Sequence, residues 1–222
     1  TGETVHAGRL GVRWLLSLQN ADGGFPTFCR GWGRLAFDRS CTDVTAHVVR
    51  ALGEWRGSVS RRMRTRVVRA VRRGLRYLEA EQQPDGTWIP LWFGNEKARG
   101  QANRTIGTAQ VVVCMRHAAR NGLTISAGVL PAGLRSLADM QDSSGGWGGD
   151  RSLEPTVEET AWAVRALRGT QYDDLAADGR KWLAERSDRG TSFIPSPVGL
   201  YFSSLWYTER MYPVILTVAA DA

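Results

Sequence analysis

The sequence predicts an all-α protein whose helical hairpins form part of an α/α toroid, and two periodic marks support this fold class. The first mark is a repeated Gln-x-x-x-Gly-x-aromatic motif at residues 19–25, 82–88 and 141–147. The second is a Thr-Ala pair on a later helix of each repeat. Hairpins of this kind cannot bury their apolar faces alone and must stack on their neighbours. No β-alternating segment of useful length competes with this prediction. The Thr-Ala pairs that form the second mark are Thr45-Ala46, Thr108-Ala109 and Thr160-Ala161.

Each copy of the motif ends an apolar helical run in the same way. The glycine permits a left-handed exit from the helix. The glutamine amide can bond backbone groups that the turn leaves free, and the large ring covers the helix end. We therefore expect the same turn three times, with small residues on the second helix allowing close approach.

Periodicity and helix breakers predict eight helices in four hairpins, with first helices outside and second helices inside a single domain of residues 1–222. A long loop containing Phe28, Trp32 and Phe37 joins the first pair. In the fourth hairpin, Ser187 and Phe193 mark a degenerate copy, as terminal repeats often are. The predicted hairpins pair residues 8–19 with 43–55, 61–82 with 105–120, 131–141 with 157–168, and 174–186 with 203–218.

Composition favours a globular protein in a reducing compartment. The 222 residues are 42% hydrophobic and 23% charged, and nine tryptophans are many for this length. No apolar run reaches the roughly 18 residues of a membrane span, and no signal peptide opens the chain. Three cysteines without paired or metal-like spacing predict free thiols. We therefore predict a cytoplasmic protein.

The formal charge of +7 is carried almost entirely by arginine, and its densest run lies in residues 61–76. Helical spacing places the arginines on one face and Val67, Val71, Leu75 and Leu78 on the other. A solvated outer face is one interpretation, and peripheral contact with an anionic membrane is the other. No base-stacking or recognition-helix pattern accompanies the charge, so nucleic acid is not an expected partner.

Residues 40–48, Ser-Cys-Thr-Asp-Val-Thr-Ala-His-Val, resemble a Ser-x-x-Asp-Val-Thr-Ala-His segment of the bacterial hopene cyclases. Further matches are residues 85–88 through Trp92, Gly107-Thr108 and Tyr212-Pro213. With the repeats, which look like the "QW" repeats of that family, the chain resembles the squalene-hopene and oxidosqualene cyclases, the class II terpene cyclases, over most of its length. Protein prenyltransferase β-subunits share the toroid.

The resemblance implies a toroid of six hairpins whose inner helix carries an Asp-x-Asp-Asp acid. Four hairpins are predicted here, and the sequence contains no Asp-x-Asp-Asp. The chain thus looks like the C-terminal two thirds of such a toroid. We expect an N-terminal segment or a partner chain to complete the barrel and supply the acid; the alternative is that the acid is lost.

Class II cyclisation needs a carboxylic acid that protonates an alkene, and a nearby cationic histidine stabilises its conjugate base. The resemblance assigns the histidine role to His47, with Asp43 one helical turn earlier on the same face. A purely structural histidine is the alternative. Glu158 and Glu159 open an inner helix, where they favour the helix dipole. Glu159 is also a candidate substitute acid.

Carbocations are sheltered by aromatic faces, which attract cations without adding a nucleophile. The resemblance places Phe28, Trp92 and Tyr201 at cavity positions, with core packing as the alternative. Arg104 stands where the hopene cyclases have a tyrosine of the proton-resupply region. An arginine cannot relay a proton as a phenol does, but it can bind a diphosphate or carboxylate. Leu205 and Thr208 likewise replace tyrosines, so a polar-headed prenyl chain is as plausible a substrate as squalene.

The sequence therefore predicts a class II terpene cyclase domain that cyclises a polyprenyl substrate, with no cofactor and no metal. Two other interpretations stay open. One is a non-catalytic isoprenoid-binding or scaffold domain without the acid motif. The other is a prenyltransferase-like zinc enzyme with ligands from Cys41, Asp43 and His47, although the Asp-x-Cys order and the histidine on a separate helix are missing.

Overall fold

The computed structural model describes residues 2–31, 35–200 and 205–221. Within these residues the chain forms eight α-helices and one 3-10 turn (Arg99–Gln101), which confirms the predicted all-α class. No helix in the described part is long and apolar enough to cross a membrane. The helices are α1 (Gly2–Leu18), α2 (Thr42–Trp55), α3 (Arg61–Ala80), α4 (Arg104–Arg120), α5 (Val129–Asp139), α6 (Val157–Leu167), α7 (Asp173–Arg186) and α8 (Met211–Asp221).

Two short antiparallel strand pairs were not predicted. Strand β1 (Phe25–Pro26) pairs with β2 (Ser40–Cys41), and β3 (Val198–Leu200) pairs with β4 (Leu205–Tyr207). The prediction of a helix over 203–218 is wrong at its start, because Leu205–Tyr207 is extended and α8 begins only at Met211. Large and aromatic side chains such as these favour a strand when a neighbouring segment offers backbone partners. The first helix also begins earlier than predicted, at Gly2.

The chain divides into two compact units. The first comprises Thr1–Gln82 with Cys114–Ala127, and the second Gln83–Val113 with Gly128–Ala222. In the first unit, α2 packs on α1 and α3. The predicted apolar face of α3 is buried there, since Val67, Val71, Leu75 and Leu78 expose 2% or less of their surface.

Helix α6 is the centre of the second unit. It packs on α5, α7 and α8, and of its residues only Arg165 is not buried. Glycines on the neighbouring first helices make room for large rings: a Cβ at Gly133 would lie 2.7 Å from the Trp88 ring, and one at Gly179 would lie 2.7 Å from the Trp147 ring. Close approach thus depends on glycines in α5 and α7 as well as on the predicted small residues.

The repeated turn has the predicted geometry. Gln19 Nε2 donates to the carbonyl of Gly23 at 2.8 Å and also to that of Ala70 in α3 at 2.8 Å. Gln141 Nε2 repeats both bonds, to Gly145 at 2.9 Å and to Leu175 in α7 at 3.0 Å. The amide therefore closes its own turn and ties it to the following first helix. The motif glycines have left-handed φ angles, which are +98° at Gly23, +82° at Gly86 and +93° at Gly145. The motif rings expose 1% or less of their surface; they are Phe25, Trp88 and Trp147.

The threonine of each Thr-Ala pair has a function that the sequence did not suggest. Its hydroxyl accepts a hydrogen bond from the backbone N–H of the motif ring residue, at 2.9 Å for Thr45, 3.1 Å for Thr108 and 2.9 Å for Thr160. Because a buried N–H without a partner is destabilising, this bond fastens the turn to the second helix of its own repeat.

Candidate functional site

The predicted catalytic pair of the first unit lies on α2. Asp43 is buried, with 2% of its surface exposed, whereas His47 is exposed to solvent. The two residues are one turn apart on the same helix, as predicted, but one side chain is buried and the other is exposed. Their proposed partnership with an alkene-protonating acid stays a prediction.

Cys41 lies directly before α2, next to Asp43. Burial raises the pKa of the Cys41 thiol well above its ordinary range, and the negative charge of Asp43 raises it further. Zinc binds the thiolate form, so this environment opposes the use of Cys41 as a ligand. Among the described residues, no three His, Cys, Asp or Glu side chains are grouped as a metal site would require.

The predicted cavity aromatics have different environments. The Phe28 side chain is 64% exposed, and Trp92, in the second unit, is half-buried. Tyr201 lies outside the described residues, as does Trp32 of the first loop. An exposed ring shelters no cation from water, so Phe28 would need another segment over it to serve as a cavity wall.

Arg104 opens α4 and is surrounded by oxygen atoms of its own unit. Its Nε lies 3.4 Å from Asp150 Oδ2, its Nη1 lies 3.7 Å from Asp85 Oδ2, and Nη1 donates to Thr87 Oγ1 at 3.1 Å. Burial alone would raise the pKa of Asp85, but hydrogen bonds from Thr87 and the charge of Arg104 lower it. The guanidinium therefore holds the second motif turn and is already neutralised by carboxylates.

Glu159 is the most unusual ionisable group of the second unit. Thr156 caps α6 by accepting from the Glu159 N–H at 3.4 Å, and the Thr-x-x-Glu spacing is that of a capping box. The carboxylate does not complete that box. Its Oε1 instead accepts from Asn103 Nδ2 at 2.8 Å and from Asn95 Nδ2 at 3.1 Å. Glu159 is 97% buried, and its Oε2 has no hydrogen-bond partner among the described residues.

The surroundings of Glu159 raise its pKa to about 7. Burial is the main cause, and the neighbouring charge of Glu158 adds to it, while the two asparagine amides act in the opposite direction. At neutral pH the group therefore exchanges readily between acid and carboxylate. It can hold or accept a proton, and as a carboxylate it can stabilise a nearby positive charge.

The two asparagines are fixed by the backbone around them. Asn103 caps α4 by accepting from the Ile106 N–H at 2.9 Å, and the Asn95 N–H donates to Gln101 at 2.9 Å. Sequence reasoning did not single out either residue. The position of Asn103 could have been recognised from the sequence, since asparagine is a favoured N-cap residue. Nothing in the sequence indicated its hydrogen bond to Glu159, which is 56 residues away.

Glu158 is also buried, and it is fixed by the loop after α7. Its Oε1 accepts from the Ser196 N–H at 3.0 Å and its Oε2 from the Ser196 hydroxyl at 2.6 Å. Asn95 and Ser196, the partners of the two acids, both line an open cleft of about 160 Å³ that also includes Pro155, Ile194 and Arg186. We call Glu158, Glu159, Asn95, Asn103 and Ser196 the acid cluster.

Comparison with known families shows a match over most of the chain. The model of the squalene-hopene cyclase C-terminal domain matches residues 2–195. The chain is 35% identical over 156 residues to drimenyl diphosphate synthase of Streptantibioticus cattleyicolor, and 26% identical over 232 residues to enfumafungin synthase of Hormonema carpetanum. These alignments cover 70% and 88% of this chain.

The chain spans only 26% and 16% of the lengths of these two relatives. Among solved structures, ent-copalyl diphosphate synthase from Streptomyces platensis superposes with a TM-score of 0.61 at 24% identity, over 92% of this chain and 35% of that protein. This similarity establishes the fold, which is that of the α/α toroid.

Proposed function

Because the chain belongs to the squalene-hopene cyclase C-terminal domain family, we propose that it forms part of a class II terpene cyclase. Such an enzyme protonates an isoprenoid alkene and guides the resulting cation through ring closure. The family match over residues 2–195 carries this proposal. The acid cluster supports it, since it provides a buried group that ionises near neutral pH.

The proposed substrate is an isoprenoid with a diphosphate head. Drimenyl and ent-copalyl diphosphate synthases are among the similar proteins, and both names denote a diphosphate product. The charge of Arg104, the predicted diphosphate ligand, is already balanced by two carboxylates that face it. Binding there would require Asp85 and Asp150 to move away. The apolar chain of such a substrate partitions into membranes, so peripheral membrane contact belongs to the proposal.

The acid cluster suits the late steps of the reaction better than the first. A carboxyl with a pKa near 7 gives up its proton less readily than an ordinary glutamic acid does, so it is a weak donor to an alkene. We assign Glu159 to holding positive charge or accepting a proton. His47, with Asp43 one helical turn earlier, remains the candidate to stabilise the conjugate base of the initiating acid.

Further helical hairpins, from the same polypeptide or a partner chain, complete the proposed enzyme and supply the initiating acid. On α8, the side chains of Met211, Ile215 and Val218 are more than half exposed at helical spacing. On α1, Leu10 is 49% and Trp14 57% exposed, again one turn apart. Apolar stripes of this kind usually mark interaction surfaces.

Activity of the chain, alone and with the upstream or neighbouring coding sequence expressed beside it, tests the proposal. Squalene, farnesyl diphosphate and geranylgeranyl diphosphate are supplied, and products are identified by mass spectrometry. We expect a cyclic product whose formation falls at least about tenfold in Glu159→Gln, with Glu185→Gln as an exposed control. A Glu159→Gln protein that is folded and fully active removes the role assigned to the cluster.

His47→Ala tests the second candidate pair in the same assay. Loss of substrate consumption in His47→Ala alone would support a role for His47 beside the initiating acid. Unchanged substrates in every arm, with the protein folded, would overturn the cyclase proposal in favour of a scaffold or binding domain.

A further inference from the structure

Charge is divided unequally between the two units. The first unit contains 17 arginines, no lysine and seven acidic residues, which gives a formal charge of +10. The second contains 12 lysines and arginines and 15 acidic residues, for a charge of −3. The first unit is therefore more basic than the net charge of +7 indicates. A charge of +10 on one unit favours an anionic partner for that unit.

Helix α3 carries the largest part of this charge on one exposed face. Two of its arginines serve the fold: Arg64 donates to the Arg56 carbonyl, and Arg73 donates to the carbonyls of Asn20 and Ala21. Five others point into solvent, and among the described residues none of them forms an ion pair with a carboxylate. These five form what we call the α3 arginine face: Arg62, Arg66, Arg69, Arg72 and Arg76.

The arrangement is unfavourable for the helix by itself. Arg62 and Arg66, like Arg72 and Arg76, are four residues apart, where like charges repel across one turn. The first turn has no acidic residue and begins with Arg61 and Arg62, although positive charge at a helix N-terminus opposes the helix dipole. The buried apolar face holds the helix together against this repulsion. An anionic surface would relieve it.

The basic surface is long and open. Residues 62 to 76 span about 21 Å at 1.5 Å per residue. Four of the arginines of α3 border a shallow groove of about 500 Å³ together with Thr65 and Val68. A second open groove, of about 320 Å³, brings Arg9 and Arg13 of α1 beside Met63 in the first turn of α3. Both grooves lie within the first unit, so the positive surface extends from α3 to α1.

We propose that the α3 arginine face docks the protein on the surface of an anionic phospholipid bilayer. A straight, one-sided row of cations fits a flat layer of phosphate groups, and each such cation near an anionic surface adds to the attraction. The face has no aromatic side chain on which a nucleic-acid base could stack. Docking would also bring the enzyme to the apolar chain of an isoprenoid substrate in the membrane. That reason rests on the proposed function, whereas the charge and geometry of the face are independent of it.

Vesicle co-sedimentation without substrate tests the docking. The full chain is mixed with vesicles of equal parts phosphatidylglycerol and phosphatidylcholine, or of phosphatidylcholine alone. We expect binding only to the anionic vesicles, weakened as salt rises from about 0.1 M to about 1 M. Changing all five residues of the α3 arginine face to glutamine should lower the partition coefficient at least about tenfold. The five-lysine variant, which keeps the charge, should bind almost as well as the natural protein.

The matched control removes five exposed positive charges from the second unit, so that its net charge equals that of the glutamine variant. Equal loss of binding in both variants would show that net charge alone matters and would overturn the proposal. So would equal binding to both vesicle types, or stronger binding to duplex DNA or RNA than to anionic vesicles. Circular dichroism confirms that each variant is folded. Because no substrate is present, failure here is separate from failure of the cyclase assay. The matched control in the second unit combines five substitutions of exposed residues, namely Arg99→Gln, Arg135→Gln, Lys181→Gln, Arg189→Gln and Arg210→Gln.

Discussion

The three regular motif turns and the degenerate fourth one are built by different means. In the regular copies the ring is fully buried, and the ring residue's N–H is bound by a threonine of its own repeat. In the fourth copy Phe193 is only half-buried, and two consecutive non-glycine residues, Asp188 and Arg189, take left-handed φ angles of +46° and +54°. The Ser187 hydroxyl accepts from the Gly190 N–H at 3.1 Å, whereas the amides of Gln19 and Gln141 donate to the carbonyls of their motif glycines.

The fourth turn is instead fastened through the acid cluster. The loop after it returns to α6, where the Glu158 carboxylate accepts hydrogen bonds from both the N–H and the hydroxyl of Ser196. A regular turn is therefore stabilised by a buried ring and neutral hydrogen bonds, and the fourth by contact with a carboxylate beside Glu159. Where the motif is degenerate, hydrogen bonds to a buried carboxylate thus take the place of the buried ring and the threonine in attaching the loop to α6.

The largest expected difference between the two kinds of turn lies in their rings. Trp147→Ala should lower the free energy of unfolding by about 3–5 kcal/mol, because it empties a buried site and removes the indole bond to the Leu137 carbonyl. Phe193→Ala, at a half-exposed ring, should cost no more than about 1 kcal/mol. Urea unfolding of both variants measures the contrast. Similar losses would mean that the fourth copy is not degenerate in energetic terms.

The acid cluster should make stability depend on pH. The pKa of Glu159 is raised in the folded state to about 7, so the folded protein disfavours its ionisation. The stabilisation is complete below the ordinary pKa of glutamate and is lost as pH rises through about 7, a change of at most roughly 3 kcal/mol. Glu159→Gln keeps an oxygen acceptor for the two asparagines and should remove this decline.

Unfolding of the natural protein, Glu159→Gln and the exposed control Glu185→Gln between about pH 5 and about pH 8.5 gives the measurement. The control should follow the natural protein throughout. A decline that persists unchanged in Glu159→Gln would place the titrating group elsewhere.

The smallest difference concerns glycine. Gly86 and Gly190 have similar left-handed φ angles, +82° and +88°, so an alanine meets similar backbone strain at both. A Cβ at Gly86 would also lie 2.7 Å from the Ala132 carbonyl oxygen of α5, whereas nothing lies within 4 Å of one at Gly190. Gly86→Ala should therefore cost about 1–2 kcal/mol more than Gly190→Ala in thermal or urea unfolding. Equal costs would show that α5 can move away from the turn.

Much of the local structure could be predicted because its causes lie within a few residues. The Gln141 amide reaches Gly145, four residues on, and the apolar face of α3 follows from helical spacing. The strands at 205–207 and 198–200 could not be predicted in this way, since each needs the other for its backbone hydrogen bonds. The threonine hydroxyls escaped prediction for a related reason: Thr45 serves a residue 20 positions away, in a preceding turn.

The candidate site was less predictable than the fold. The sequence named Glu159, because two acids open an inner helix, but it could not show that Asn95 and Asn103 would bind the carboxylate. It placed Asp43 and His47 on one helix, one turn apart, yet burial of one and exposure of the other depend on what packs against α2. The sequence suggests Arg104 as a ligand for a diphosphate or carboxylate, and only the folded chain brings Asp85 and Asp150 to its guanidinium.

Most of the helices, the repeated turns and the family can be predicted from the sequence alone, because these depend on short spacings that the copies repeat. Which charged groups are buried or paired depends on the tertiary structure, because it brings together distant segments, such as those of Glu159 and Asn103, which are 56 positions apart. The pKa of Glu159 near 7 comes from that tertiary structure. The sequence does not record whether an ionisable side chain is exposed or buried, yet these surroundings set the free energy of its ionisation.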